Sequence, residues 1–318
     1  MISEKKIIAI KAIAACLLWS TAFAGAKIAL YYTTPLFLAG VRFFLAGILL
    51  IPFSGHVKDY FSILRQNMKL VSSVAALQTV IMYGFYFSGI DLIPGSIAAL
   101  IIGASPLITA IVTHIYLQDD KLSGRKLVSI IISITGIILI VIGRQTMEFA
   151  GLIDFVGILL LVINMIVSAF ANILVARHKG QISPILLNSY QLGIGGIVLI
   201  VISLPVEGLP LFDWDLTFII ALLWLSIISA VAFSIWFSLL KKPGVKVSEL
   251  NMWKFLIPVF GAVLSWLLLP NEYPTLISLL GMVIIAGSIL FYYLPGKNIE
   301  GRELEYLNLR PPLFKKLK

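Results

Sequence analysis

The sequence predicts an all-α polytopic membrane protein: ten transmembrane helices in two inverted five-helix repeats, with both termini cytoplasmic. The 318 residues are 60% hydrophobic and only 12% charged, with a mean hydropathy of +1.03. Soluble domains carry roughly 45–50% apolar and about 25% charged residues. The charges gather in short clusters between continuous apolar runs. Lipid admits only helices and closed barrels, and continuous runs fit helices better than alternating ten-residue strands. The third observation is that the polar and proline positions of one half recur, in order, in the other.

Windows of about 19 residues place the spans at Ile7–Lys27, Pro35–Pro52, Leu70–Gly89, Ile93–Leu117, Leu127–Gly143, Phe155–Ala176, Pro184–Leu204, Leu216–Leu240, Val247–Leu269 and Leu276–Leu294. The first run is too long for a signal peptide, so no cleavable leader is expected. Cys16 is the single cysteine, which excludes an intrachain disulfide and speaks against redox chemistry. The connections are too short for a further domain, and Pro295–Lys318 reads as a basic surface tail.

Charge fixes the orientation. Lys5, Lys6, Lys58, Arg65, Lys69, Lys121, Arg125, Lys126, Arg177, Lys179, Lys241, Lys242, Lys246 and the tail all fall on one side. The other side holds Arg144 among Asp91, Glu148, Asp154, Glu207, Asp213, Asp215 and Glu272. Lys and Arg mark the cytoplasmic face, so both termini lie inside a cytoplasmic (inner) membrane. The net charge of +9 is thereby spread over every inner loop, and nucleic acid is not an expected partner.

The halves align from Pro35-Leu36 onto Pro184-Ile185, which sets Arg42 against Gln191 and Gly47 against Gly196. Ser96 and Pro106 of span four match Ser248 and Pro258 of span nine, and Asp119-Asp120 matches Asn271-Glu272. Five spans per half is an odd number, so the second half enters from the opposite face. Residues 1–146 form the first repeat, 147–295 the second and 296–318 the tail. Inverted repeats typify secondary transporters, with substrate held near the midplane; a duplicated scaffold is the alternative.

These residues carry a resemblance. Leu18-Trp19, Phe23, Lys27, Pro35 and Arg42-Phe43, followed by Ser96, Ala99-Leu100, Ser105-Pro106, Asp119-Asp120 and Gly136, resemble the drug/metabolite transporter (DMT) superfamily, specifically its EamA-type members. Ser248, Pro258, Glu272, Gly281 and Gly287 repeat the pattern, and the likeness runs from Ile7 to about Leu294. Two positions depart from it: Asp119-Asp120 stands where the family has Gly-Glu, and Lys254 where it is usually apolar. The resemblance implies ten helices and alternating-access transport of small metabolites, frequently amino acids or amphipathic compounds.

The residues themselves nominate a site. Arg42 and Lys254 each lie roughly 10 Å inside a span at 1.5 Å per residue, and ionisable residues at such depth are functional by default; Arg42 alternatively ties two spans together. Asn251, Lys254 and Pro258 share one face of span nine. Asn164, Ser168 and Asn172 recur every four residues in span six, as cavity lining or interhelical glue. Trp19 lies deep in span one, away from the interfacial belts, whereas Lys27 near the outer end is equally a snorkelling residue. Gln78, Met82, Tyr83 and Tyr86 in span three, and Ser229, Phe233 and Trp236 in span eight, form stripes for stacking, cation–π contact or packing. No Asp or Glu lies deep in any span, which favours a zwitterionic, neutral or anionic substrate meeting Lys254 or Arg42.

Pro106 and Pro258 read as mid-helix kinks that gate the site, with Gly95, Ala99 and Gly103 letting span four slide against a neighbour. Ser129, Ser133, Gly136, Gly281 and Ser288 suit either peripheral packing or a homodimer contact. His56, His114 and His178 are scattered, and neither a catalytic nor a metal-binding motif occurs, so no enzyme and no cofactor are expected. Charge rings and filter-like loops of a channel are also missing. The expected function is transport, through the bilayer, of an amino acid or related compound, with export the leading direction. A nucleotide-sugar, lipid-linked sugar or choline-like cation carrier is the alternative.

Overall fold

The computed structural model of the chain describes residues 4–55, 57–93, 98, 101–142, 152–178, 182–209, 215–268 and 274–293, leaving aside the side chains at 23, 24, 27, 91, 154, 262, 265, 266 and 268. Expectations resting on Ser96, Gly95, Ala99, Leu100, Asn271-Glu272, the tail, and the side chains of Phe23 and Lys27 lie outside it.

The protein is all-α and polytopic. Its helices are α1 (Glu4–Ala29), α2 (Pro35–Leu50), the short α3 (Tyr60–Gln66), α4 (Met68–Ala75) and α5 (Met82–Leu92), α6 (Ser105–Tyr116) and α7 (Gly124–Ile142). The second half follows with α8 (Leu152–Arg177), α9 (Pro184–Glu207), α10 (Leu216–Leu240), α11 (Val247–Met252), α12 (Leu256–Leu268) and α13 (Leu276–Tyr293). Among the described residues, six helical stretches are long and apolar enough to cross a membrane. They are Met68–Ile90 through α4 and α5, α7, Phe155–Arg177 within α8, α9, α10 and α13. α2 and α6 are shorter apolar helices.

The packing has a two-fold pattern. α2 pairs with α9 and α7 with α13, each helix meeting its counterpart in the other half. α1 packs on α10 as α8 packs on α5, and α1 on α12 as α8 on α6. Glycines set the closest of these approaches. A Cβ on Gly40 would stand 2.9 Å from the Gly196 carbonyl oxygen, and one on Gly136 2.7 Å from that of Gly281. Backbone contact of this kind is how helices associate in lipid, where hydrophobic burial offers no advantage.

Helix ends are tied by side chains, as the four orphan N–H groups of each N-terminus require. Glu207, at the end of α9, accepts from Leu36 N (2.8 Å) and Phe37 N (3.1 Å) at the start of α2. Asp215 accepts from Phe218 N at 2.9 Å and caps α10. That hydrogen bond holds its carboxyl below the usual carboxylate range. Lys241 follows α10 and donates to the Ile182 carbonyl; burial pushes its ammonium down to about 8.

The small residues of α7 and α13 face each other within the chain. Ser129 Oγ donates to Ser288 O at 2.6 Å and Ser133 bonds Ser288. For these positions intrachain packing takes the place of the dimer contact.

Candidate functional site

Span nine is interrupted where the sequence anticipated a continuous helix. α11 ends at Met252, Trp253–Phe255 form a 3-10 turn, and α12 restarts at Leu256. Tightening to three residues per turn alters the hydrogen-bond register, and the Trp253 carbonyl accepts from Cys16 Sγ at 3.3 Å. The turn carries Lys254 into the interior. Its Nζ stands 5.0 Å from the Trp236 ring centroid and 5.9 Å from that of Trp19. Neither an ion pair nor a side-chain hydrogen bond holds Lys254 among the described residues, so ring faces are its immediate surroundings. Such contacts stabilise a desolvated cation by about 2 kcal/mol.

Polar groups fix those rings. Trp236 Nε1 donates to Asn172 Oδ1 at 3.2 Å, Asn172 Nδ2 reaches Asn251 Oδ1 at 3.5 Å, and Asn251 Nδ2 donates to Val247 O at 2.8 Å. Of the span-six stripe, Asn172 belongs to the site. Asn164 does not extend it: its Nδ2 donates to Met82 O at 2.6 Å, the interhelical-glue role. Ser168 is half-buried between them.

A second cation sits along the same aromatic wall. Trp19 packs on Trp236 (centroids 5.1 Å) and Phe233 (5.5 Å), Phe233 on Phe43 (6.4 Å), and Phe43 on Tyr83 (4.6 Å). The Arg42 guanidinium lies 4.6 Å from the Phe43 centroid and 5.4 Å from that of Tyr83. Arg42 is 8% exposed, and its Nε has no hydrogen-bond partner. Gln78 Oε1 is likewise buried and unpaired, while Gln78 Nε2 lies 3.8 Å from Met82 Sδ. Gln78 sits in a π-helical turn, Ala76–Ile81, that joins α4 to α5. The extra residue per turn redirects side chains, and such turns occur often at functional sites. Its residues, Ala-Leu-Gln-Thr-Val-Ile, occur in ordinary helices, so the change of register left no mark in the sequence.

The prolines need correction. Pro106 is not in mid-helix: Ala104, with φ −79° and ψ 0°, precedes α6, and Pro106 occupies its first turn. Pro258 is the third residue of α12. Proline is tolerated in a first turn because the missing N–H would be unpaired there anyway. Both prolines therefore begin a helix after a break, where a kink within a continuous helix was expected.

Ser248 also has a defined role. Lys126, read from the sequence as an inner-loop charge, is 2% exposed and donates to Asp120 Oδ1 at 2.9 Å and to Ser248 Oγ. Ser248 returns its hydroxyl to Asp120 Oδ1 and its N–H to Oδ2 at 2.7 Å. This closed cluster joins the connection after α6 to the start of α11. It borders a cavity of 490 Å³ lined by Asp119, Asp120, Arg177 and Lys246. That cavity opens among the basic loops and shares no lining residue with the aromatic wall.

Long apolar helices around an interior of aromatic rings and two unpaired cations define a polytopic membrane carrier. A family model agrees: the EamA-like transporter family matches residues 6–142 and again 155–294, and the chain belongs to that family. It is a secondary transporter of a small molecule, in a non-enzymatic transport family of the DMT superfamily. The chain is similar to YvbV, an uncharacterized transporter of Bacillus subtilis (strain 168), at 24% identity over 274 residues, covering 86% of this chain and 87% of the relative. It is also similar to an S-adenosylmethionine/S-adenosylhomocysteine transporter of Chlamydia muridarum, at 25% identity over 290 residues and 86% and 88% coverage. One solved crystal structure superposes with a TM-score of 0.77 at 18% identity, over 94% of this chain and 99% of that one, a likeness of fold.

Proposed function

We propose that the protein exports a small amphipathic metabolite, an amino acid or related compound, across the cytoplasmic membrane by alternating access. One observation carries this reading: the Lys254 ammonium lies against the adjoining rings of Trp19 and Trp236, with no counter-charge among the described residues. A carboxylate there would gain a charge-assisted partner, and the flat body of the substrate would gain ring surface. Asn251, Ser168, Gln78, Tyr83 and Arg42 complete the substrate-binding set, and Pro106 and Pro258 form the gate at two helix restarts. The Chlamydia relative is named for S-adenosylmethionine, an amino-acid derivative, which favours this substrate class.

The transport cycle is read on a frame of ten spans in two inverted repeats, residues 1–146 and 147–295, with both termini and the 296–318 tail cytoplasmic. The two-fold packing pattern and the double family match support that frame. The asymmetry of inner and outer charges supports the orientation.

The test is a thermal-shift screen of purified protein against amino acids, polyamines, choline-like amines and nucleotide sugars, followed by counterflow of each hit in proteoliposomes. Amino-acid-related hits should stabilise the wild type, and Lys254→Ala and Trp19→Ala should abolish the effect. Normal binding by both variants would show that the site lies elsewhere.

A further inference from the structure

The transport reading leaves two features unexplained: why the binding set holds a second cation, Arg42, and why an aromatic wall runs between it and Lys254. We infer that the site takes an organic dianion, a flat apolar body with an anionic group at each end, one held by Lys254 and the other by Arg42. The inference rests on the transport reading for the location of the site and goes beyond it in naming the charge of the substrate.

The ion pairs among the described residues join Lys126 to Asp120, Lys242 to Glu4 and Lys246 to Glu249. None involves Lys254 or Arg42, and no carboxylate lies deep in a span to serve them. Each cation rests against ring faces. Ring faces offset only part of the cost of a desolvated charge. An uncharged or zwitterionic ligand leaves the net charge of the site at two, whereas a dianion cancels both.

The Arg42 end is also the unsatisfied one. Arg42 Nε and Gln78 Oε1 are two of the four buried side-chain atoms without a hydrogen-bond partner among the described residues. A planar carboxylate accepts two parallel N–H donors from a guanidinium. Between the poles, Trp236, Trp19, Phe233, Phe43 and Tyr83 present successive rings at centroid spacings of 4.6 to 6.4 Å. A flat apolar middle suits that surface. Among amphipathic metabolites, diacids meet all three conditions.

Two probes of nearly equal shape test this on the detergent-purified full chain: 4-propylbenzoate, with one carboxylate, and 4-(2-carboxyethyl)benzoate, with two. The dicarboxylate should bind the wild type about tenfold more tightly or better, each tenfold being about 1.4 kcal/mol. Arg42→Gln should erase that preference. Arg42→Lys should keep most of the preference. Equal wild-type affinities, no binding of either probe, or an equal loss of both in Arg42→Gln would overturn the inference, and the wild-type comparison decides the matter if that variant does not fold. Counterflow of an amino acid without diacid preference would sink the dianion and leave transport standing. Tight, Arg42-dependent diacid binding without counterflow of any metabolite would do the reverse.

Discussion

Two lysines of this protein, Lys126 and Lys254, have opposite surroundings. Lys126 sits in the first turn of α7, enclosed by Asp120, Ser248 and the Lys121 carbonyl, with every donor used. Lys254 sits in a 3-10 turn against two tryptophans and has no acid beside it. The first charge is matched by the protein itself, so its work is structural. The second is matched by no acid among the described residues, as expected of a position that meets an anionic group of a substrate. Pairing therefore distinguishes the two charges.

The largest effect expected from that contrast is on stability. Lys126→Ala leaves Asp120 buried and uncompensated, and breaking such a pair costs about 3–5 kcal/mol. Chemical or thermal denaturation in detergent should show it, and replacing both residues by apolar ones should recover most of the loss. Lys254→Ala orphans no partner, so its stability should stay within about 1 kcal/mol of wild type, while ligand affinity falls tenfold or more, about 1.4 kcal/mol. Equal destabilisation by the two single variants would erase the distinction.

Smaller effects follow at the helix restarts. Pro106→Ala and Pro258→Ala change stability by about 1 kcal/mol or less, because a first-turn proline breaks no hydrogen bond. Turnover should nonetheless fall several-fold with binding unchanged, and unaltered turnover in both would remove the gate. The smallest effect is electrostatic. The Lys241 ammonium titrates near 8 in the folded protein against an ordinary 10.5. Between those values the unfolded chain binds more protons, so stability rises with pH across that window. Wild-type Tm measured against the non-titrating Lys241→Arg should accordingly increase from pH 7 to pH 9.5.

Much of the helical frame was legible because lipid imposes one strict rule, apolar runs about twenty residues long. Leu216–Leu240 was read to the residue. Lys254, Arg42, Trp19 and Trp236 were legible for a related reason, since charged and amphipathic side chains in such runs are conspicuous. Lys126 was not, because its neighbours in sequence are loop charges and Ser248 lies 122 residues away. The π turn at Ala76–Ile81 left no mark either, being a change of backbone register among ordinary helix-forming residues. Asn164 and Asn172 share a periodicity yet differ in role, because only the neighbouring helices decide which amide meets Met82 and which meets Trp236.

The central claim is that Lys254 receives an anionic group of the substrate beside Trp19 and Trp236, and ligand-induced tryptophan fluorescence tests it most directly. A hit from the ligand screen should change the emission of the wild type in a saturable way. The change should shrink in Trp19→Phe and in Trp236→Phe, and vanish in Lys254→Gln at the same ligand concentration. A saturable change that survives in Lys254→Gln with unaltered affinity would contradict the account.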